Sequence, residues 1–177
     1  PPSSGRWRST RSGDVYPGLV SFFARSERMT ASEFDHMMSH EAGLLGISET
    51  SSDMHELLGR EAEDVRAREA VAAFCYQAKK WLGAYAAVLG GLDTLVFAGG
   101  IGENSPVIRA RICDGLGFLG IELDDSRNEV SAGVVSADAT PVTARVVRTA
   151  EQHLRAMSVS PAPPLRAPPT ERRARTP

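Results

Sequence analysis

The segment VFAGGIGENSP, at residues 96–106, constrains the fold more than any other feature of the sequence. A short apolar run of β type ends in glycines, and Asn104 or Ser105 then caps a helix that has Pro106 in its first turn. Glycines let a ligand approach the backbone, and the free N–H groups at a helix start attract phosphate or ribose. The segment matches neither the Walker loop nor the Rossmann fingerprint, so it indicates either a nucleotide-binding turn or a plain strand-to-helix turn.

Helix and strand patterns alternate along the rest of the chain. Strands are predicted at residues 92–98, 118–123 and 143–147, and a last helix at residues 150–157. Strand, glycine loop, helix, strand, strand and helix in this order predict an α/β fold. Earlier helices are signalled by Pro17 at a helix start, by the capping-box pairs Thr30 with Glu33 and Asp53 with Glu56, and by Gly43 at a helix end.

The longest predicted helix covers residues 63–89. Apolar side chains recur on it at helical spacing and form one stripe. This stripe belongs either to the domain core or to a subunit interface, and the spacing does not decide between them. Its members are Val71, Phe74, Ala78, Trp81 or Leu82, and Tyr85.

Composition places the chain among soluble globular proteins. Hydrophobic residues make up 42% and charged residues 24% of the chain, and the net charge of −2 gives no basic field that would attract nucleic acid. No apolar run is long enough to span a bilayer, and no signal peptide is recognisable. Cys75 and Cys113 have neither metal-ligand nor disulfide spacing, so we expect two buried, reduced thiols and a cytoplasmic protein.

Three regions differ in composition. Residues 1–9 are rich in Pro, Ser and Arg and form an irregular start, whereas residues 10–157 have the patterns of a folded domain. Residues 158–177 hold six of the eleven prolines. Such a tail buries too little apolar surface to offset its ordering entropy, so we expect it to be disordered. The chain starts at Pro1 and its first methionine is Met29, from which we expect that further residues precede it.

Three further residues are candidates for binding or catalysis. Arg11, in TRSGD, can direct a planar fork at an anion, although an ordinary surface arginine fits the same pattern. Asp53, in GLLGISETSSDM, can accept hydrogen bonds from a ribose or a base, or can simply cap a helix. Glu151, in RTAEQHL, can hold Mg²⁺ through oxygen or water, or can complement the dipole of a helix start.

Five segments occur in one order along the chain: TRSGD, GLLGISETSSDM, KKWLGAYAAVLGGLDTLVFAGGIGENS, GFLGIELD and TAE. Together they resemble the acetate kinase family, which is part of the acetate and sugar kinase, Hsc70 and actin superfamily, and the resemblance spans residues 10–157. It implies the C-terminal half of a two-domain enzyme in which each domain has a ribonuclease-H-like (actin-like ATPase) core. It also implies homodimers that join through this domain, and acetate or another short-chain carboxylate as the substrate.

The resemblance implies in-line transfer of a phosphoryl group from ATP to acetate, assisted by Mg²⁺, which yields acetyl phosphate and ADP. Arg11 matches the arginine that stabilises the transferring group, and Glu151 matches the magnesium ligand. The implied nucleotide contacts are Asp53, Met54 and His55 in the first segment and Gly100, Ile101, Gly102, Glu103 and Asn104 in the glycine loop.

The chain departs from the family pattern at several positions. Tyr16 stands where the family has an aspartate, His55 where it has an arginine, and Arg148 where it usually has a proline. The family's N-terminal domain, which supplies the acetate pocket and the main phosphate loop, has no counterpart in the sequence. We therefore expect that the chain alone does not catalyse, because half of a cleft cannot exclude water. The alternatives are a propionate or butyrate kinase, and a non-catalytic nucleotide-binding or dimerisation fragment.

The arginine assignment predicts the effect of Arg11→Ala in a two-domain enzyme reconstituted around this chain. Turnover should fall by about 10³–10⁵, the factor that arginines supply to phosphoryl transfer in other enzymes. Nucleotide affinity, measured by titration with ADP, should change little, because the charge acts on the transferring group. Near-normal turnover of the variant would contradict the assignment.

Overall fold

The computed structural model describes residues 10, 12–13 and 15–149. Its α-helices are α1 (Gly18–Ser26), α2 (Ala31–His36), α3 (Gly43–Ser48), α4 (Met54–Arg60), α5 (Val65–Leu89), α6 (Gly99–Asn104), α7 (Pro106–Cys113) and α8 (Asp125–Glu129). The strands are β1 (Thr94–Phe97) and β2 (Thr143–Val146). A π-helical turn (Met37–Glu41) continues α2, and a 3₁₀ turn (Gly117–Leu119) follows α7.

Most helix starts lie where the capping residues predict them. The capping box of α2 is complete, because Thr30 Oγ1 accepts a hydrogen bond from the Glu33 N–H at 3.3 Å and Glu33 Oε2 accepts one from the Thr30 N–H at 2.7 Å. Asp64 caps α5, which therefore begins at Val65 rather than at residue 63. Gly43 follows the π-helical turn with φ 65°, as expected beyond a helix end, and it also begins α3.

β1 and β2 form a parallel pair in which Phe97 lies opposite Val146. Parallel strands need a crossover connection, and α6, α7 and α8 lie in that connection here. Leu95 and Phe97 of β1 and Ala144 of β2 are buried, so one face of the pair packs against helices. The strands predicted at residues 92–98 and 143–147 are confirmed, with shorter bounds, and the α/β class is confirmed with them.

α5 is the central helix of the domain, and α3, α4 and α7 pack against it. Val71 in α5 is fully buried, and it belongs to one hydrophobic cluster with Leu44 of α3, Leu57 of α4 and Ile108 of α7. The predicted stripe on α5 packs in this core as far as Leu82. The helix thus supports the elements that come before and after it in the chain.

The last turns of α5 bury Ala86 but leave another face of the helix exposed. Tyr85 is 49% exposed, Val88 82% and Leu89 71%. A core position for Tyr85 is therefore wrong, because Tyr85 lies on a face of α5 that the described elements do not cover, whereas the neighbouring Ala86 is buried. That this end of α5 belongs to a subunit interface stays a prediction.

The strand predicted at residues 118–123 is wrong for most of its length, and only its last residue, Leu123, forms an isolated antiparallel bridge, with Ser136. The 3₁₀ turn occupies its first half and leaves Phe118 exposed. Gly120 has φ 79°, and its N–H donates a hydrogen bond to the Gly117 carbonyl at 2.9 Å. The first half of the segment is therefore a glycine-bounded turn, after which Ile121 is buried and only Leu123 pairs as a strand does.

Some expectations concern parts of the chain that the structure does not describe. The helix predicted at residues 150–157 lies outside the described residues. The domain boundaries at residues 9 and 157 stay predictions. Across the described ranges, no helix is both long enough and apolar enough to cross a membrane.

Both cysteines are free thiols in the hydrophobic core, as the sequence predicts. Burial raises the pKa of Cys75, and it raises the pKa of Cys113 to about 12. Only the thiolate is a strong nucleophile, so both positions should be inert in the folded chain.

Thiol labelling tests this burial directly. At pH 8 the native chain should react with Ellman's reagent at least about 100-fold more slowly than the chain in concentrated guanidinium chloride, because unfolding exposes thiols of ordinary pKa. The unfolded sample is also the control for the number of thiols. Rapid reaction of either thiol in the native chain would show that the core around α5 and α7 is open.

Candidate functional site

Two segments that are far apart in the sequence meet in one pocket of about 360 Å³. One wall is the start of α4, and the other is α6 together with Ser105, the residue between α6 and α7. This volume falls in the range of small-molecule sites. The lining residues are Ser52, Asp53, Met54, His55, Leu58, Gly100, Ile101, Asn104 and Ser105.

The first wall is organised by the cap of α4. Asp53 Oδ1 accepts hydrogen bonds from the N–H groups of His55 at 2.7 Å and Glu56 at 3.4 Å, which confirms the predicted cap. The reciprocal half of the capping box is absent, because the Glu56 carboxylate accepts from the Ser51 hydroxyl at 2.6 Å. Within the described residues Asp53 Oδ2 receives no hydrogen bond, so capping leaves this oxygen available to a ligand.

Apolar side chains line the space between the walls. Met54 is buried and belongs to the core cluster, while Leu58 and Ile101 are partly buried and pack against that cluster. His55 is exposed at the pocket and takes the position where the resemblance implies an arginine. The pocket thus combines an apolar lining with a few polar groups, which is typical of ligand sites.

The predicted glycine loop is a short helix, α6, which begins directly after β1. A Cβ added to Gly100 would meet no atom within 4 Å, and Gly100 lines the pocket. A Cβ added to Gly102 would lie 3.3 Å from the Phe97 carbonyl carbon. The two glycines therefore serve different purposes: Gly100 leaves space in the pocket, and Gly102 lets α6 pack closely on the end of β1.

Glu103 does not line the pocket, although the resemblance implies a nucleotide contact for it. Its Oε1 accepts hydrogen bonds from the Gly99 N–H at 2.9 Å and from the N–H and hydroxyl of Thr149, both at 2.8 Å. The hydrogen bonds from Thr149, backbone and hydroxyl, are the main reason that the pKa of Glu103 lies below its usual value. In this structure the carboxylate joins the start of α6 to the chain that follows β2.

Arg11 and Glu151, the predicted catalytic and metal-binding residues, lie outside the described residues. Their roles stay predictions. The neighbours of Arg11 are held near the end of α2, because the Ser12 N–H donates to the Met38 carbonyl and the Ala42 N–H donates to the Thr10 carbonyl. Within the described ranges, no group of three His, Cys, Asp or Glu side chains is arranged to hold a metal ion.

Sequence reasoning missed one buried polar cluster. Arg109 of α7 is fully buried and donates hydrogen bonds to Asn128, Ser131 and the carbonyl groups at the end of α6. The available signal was helical spacing: Arg109 lies three residues before Ile112 and four before Cys113, and both of these are buried. An arginine on an apolar helix face needs buried partners.

The described α/β architecture defines the class of the protein as an actin-like ATPase domain, the fold of its structural neighbours. The crystal structure of Porphyromonas gingivalis acetate kinase matches with a TM-score of 0.79 and 38% identity, over 88% of this chain and 40% of that one. A Francisella tularensis propionate kinase structure matches with a TM-score of 0.77 and 31% identity, over 82% of this chain and 38% of that one.

Sequence comparison gives the same class. The model of the acetokinase family matches residues 2–157, and the chain belongs to this family. Acetate kinase from Solibacter usitatus is 42% identical over 158 residues, which are 86% of this chain and 38% of the relative. The chain therefore spans about 40% of the length of the curated relatives that it matches.

The Glu103 contacts predict a pH-dependent loss of stability in Glu103→Gln. The pKa of Glu103 is lowered by folding, so its stabilising effect is complete above the unfolded pKa of about 4.3 and is lost as the pH falls through the folded pKa. At pH 7 the variant should therefore melt below the wild type, and the difference should shrink below about pH 4. Thermal unfolding followed by circular dichroism from pH 7 to pH 3.5 measures it.

Glu122→Gln is the matched control, because Glu122 is exposed and its carboxylate makes no hydrogen bond among the described residues. It should melt with the wild type at each pH. Equal melting temperatures of Glu103→Gln and wild type at pH 7 would mean that the Thr149 contacts contribute nothing to stability.

Proposed function

We propose that this chain forms the C-terminal nucleotide-binding part of an acetate kinase, and that it binds ATP and ADP in the pocket between α4 and α6. One observation carries the proposal: the residues from Asp53 to His55 line the same pocket as Gly100, Ile101 and Asn104. Family membership supports the choice of ligand. The polar and apolar groups of the pocket support it independently.

The chemistry of the lining suits a nucleoside. Met54, Leu58 and Ile101 supply apolar surface for the flat face of a base. Asp53 Oδ2 is an acceptor for a ribose hydroxyl. The side-chain amide of Asn104 donates one N–H to the Gly100 carbonyl at 2.9 Å, which leaves its second N–H and its oxygen for a ligand. Gly100 would let the nucleoside lie close to the backbone of α6.

The proposed reaction is transfer of the γ-phosphoryl group of ATP to acetate, which gives acetyl phosphate and ADP. Positioning and charge neutralisation supply most of the catalysis in such transfers. Arg11 would stabilise the transferring group, and Glu151 would hold Mg²⁺, which supplies positive charge when bound. The pocket between α4 and α6 would contribute positioning, because it holds the part of the nucleotide that does not react.

We also propose that the protein is a cytoplasmic homodimer that joins through this domain. The apolar side chains exposed at the end of α5, Tyr85, Val88 and Leu89, support the dimer. Contiguous exposed apolar surface is typical of interaction sites. Two reduced, buried thiols are consistent with a cytoplasmic setting.

A propionate kinase is the second candidate, because the Francisella tularensis propionate kinase structure matches almost as well as the acetate kinase structure. The acyl group is what differs between these reactions, whereas the pocket described here suits the nucleoside. Competition among acetate, propionate and butyrate in a two-domain enzyme that contains this chain would separate the candidates.

Nucleotide binding is tested with the chain itself and Gly100→Leu. Leucine is a good helix former, and its Cβ would meet no atom within 4 Å at this pocket-lining position. We expect the wild type to bind a fluorescent ADP analogue that unlabelled ADP displaces. The variant should bind at least about tenfold more weakly, because the added side chain takes the volume that the base needs.

Gly59→Leu is the matched control, since Gly59 lies within α4, has open space around an added Cβ and does not line the pocket. This control should bind like the wild type. Equal binding by Gly100→Leu and Gly59→Leu would place the nucleotide elsewhere, and the absence of displaceable binding by the wild type would reject the proposed function of this chain.

A further inference from the structure

A buried polar cluster around Arg109 lies beside the pocket, not in it. Arg109 Nε donates a hydrogen bond to Asn128 Oδ1 at 2.7 Å. Its Nη2 donates to the Asn128 carbonyl at 2.6 Å and to the Ser131 hydroxyl at 3.0 Å. One edge of the guanidinium is therefore bound to α8 and to the residues that follow it.

The remaining nitrogen of the Arg109 guanidinium, Nη1, contacts α6. Arg109 Nη1 donates to the Gly102 carbonyl at 2.8 Å and to the Glu103 carbonyl at 3.1 Å. These carbonyls end α6, where a helix has no further N–H groups of its own to offer and carries a partial negative charge. The guanidinium thus caps the C-terminus of the helix that forms one wall of the pocket.

The charge of Arg109 has no carboxylate partner at ion-pair distance among the described residues. Burial lowers the pKa of this guanidinium, but arginine still keeps its proton. A buried cation is costly, but an apolar side chain in its place would leave the Asn128 side chain and the carbonyls that the guanidinium binds without partners. The planar guanidinium satisfies acceptors of α6 and α8 together.

The same cluster also contacts the start of α7. Asn128 Nδ2 donates to the Pro106 carbonyl at 3.0 Å, so the same amide contacts Arg109 and the first residue of the helix that carries it. The end of α6, the start of α7 and α8 are held as one unit. α6 itself has six residues, too few for a helix to be stable without tertiary contacts.

We infer that Arg109 is a positioning residue for the pocket. By binding the last carbonyls of α6, it holds the helix in the orientation in which Gly100, Ile101 and Asn104 face the start of α4. The inference rests on the proposed function for its effect on nucleotide binding. Its structural part, that Arg109 orders α6 locally, does not depend on that function.

Arg109→Lys tests the inference. Lysine keeps the charge, but its single ammonium group cannot reach α6 and α8 together as the planar fork does. Hydrogen–deuterium exchange of the amides in residues 99–105 should become at least about tenfold faster. The loss of even one hydrogen bond to a charged group shifts the local opening equilibrium of the helix by more than about tenfold. Exchange in the middle of α5 should stay unchanged, and the dissociation constant for the fluorescent ADP analogue should rise about tenfold or more.

Arg111→Lys is the matched control on the same helix, because Arg111 is exposed and forms an ion pair with Glu61. It should leave exchange in α6 and ADP affinity unchanged. If Arg109→Lys fails to fold, Ser131→Ala removes one contact of the guanidinium and should give the same local pattern with a smaller amplitude.

The outcomes separate the inference from the proposed function. Faster exchange spread evenly over all helices would reduce Arg109 to a general stabilising residue and overturn the inference, as would unchanged exchange in α6. If the wild type binds no ADP, the proposed function fails, and the exchange pattern still decides whether Arg109 orders α6. Local loss of protection together with unchanged ADP affinity would overturn the link between Arg109 and the pocket.

Discussion

The short helix α6 depends on contacts with its neighbours, and much of the site depends on α6. Six residues form too few internal hydrogen bonds to set the direction of a helix in water. Its start is joined to the chain after β2 through Glu103 and Thr149. Gly102 packs against the end of β1, and Arg109 binds the last carbonyls. Each contact comes from a different element, so the helix has little freedom to tilt.

The other wall of the pocket, the start of α4, is held in place by packing on α5. α4 packs on α5, and α7, which follows α6 directly, packs on α5 as well. Leu57 and Ile108 carry these two contacts into one hydrophobic cluster around Val71. Because the interior of a protein is close-packed, elements that share such a core keep a defined separation. α5 therefore sets the distance between the two walls, although no residue of α5 lines the pocket.

Several features could be predicted because they depend on local chemistry. The caps at Thr30, Asp53 and Ser105 follow from short polar side chains that bind nearby N–H groups, and the structure has all three. The family was predicted from motifs in a fixed order, and the comparisons confirm it. The strand predicted at residues 118–123 failed in its first half, because alternation alone does not distinguish a strand from a turn such as the one at Gly120.

The sequence by itself determined several helix starts, the strands β1 and β2, the α/β class and the family, because helix caps, apolar periodicity and motif order are properties of neighbouring residues. The tertiary structure decided which residues of the glycine segment face the pocket. Gly100, Ile101 and Asn104 line it, while Gly102 packs on β1 and Glu103 binds Thr149. The motif gives no sign of which of these five residues face the pocket. They face in different directions because each packs against or binds a different part of the fold. Arg109 shows the same dependence, since only its buried partners on α6 and α8 distinguish it from a surface arginine.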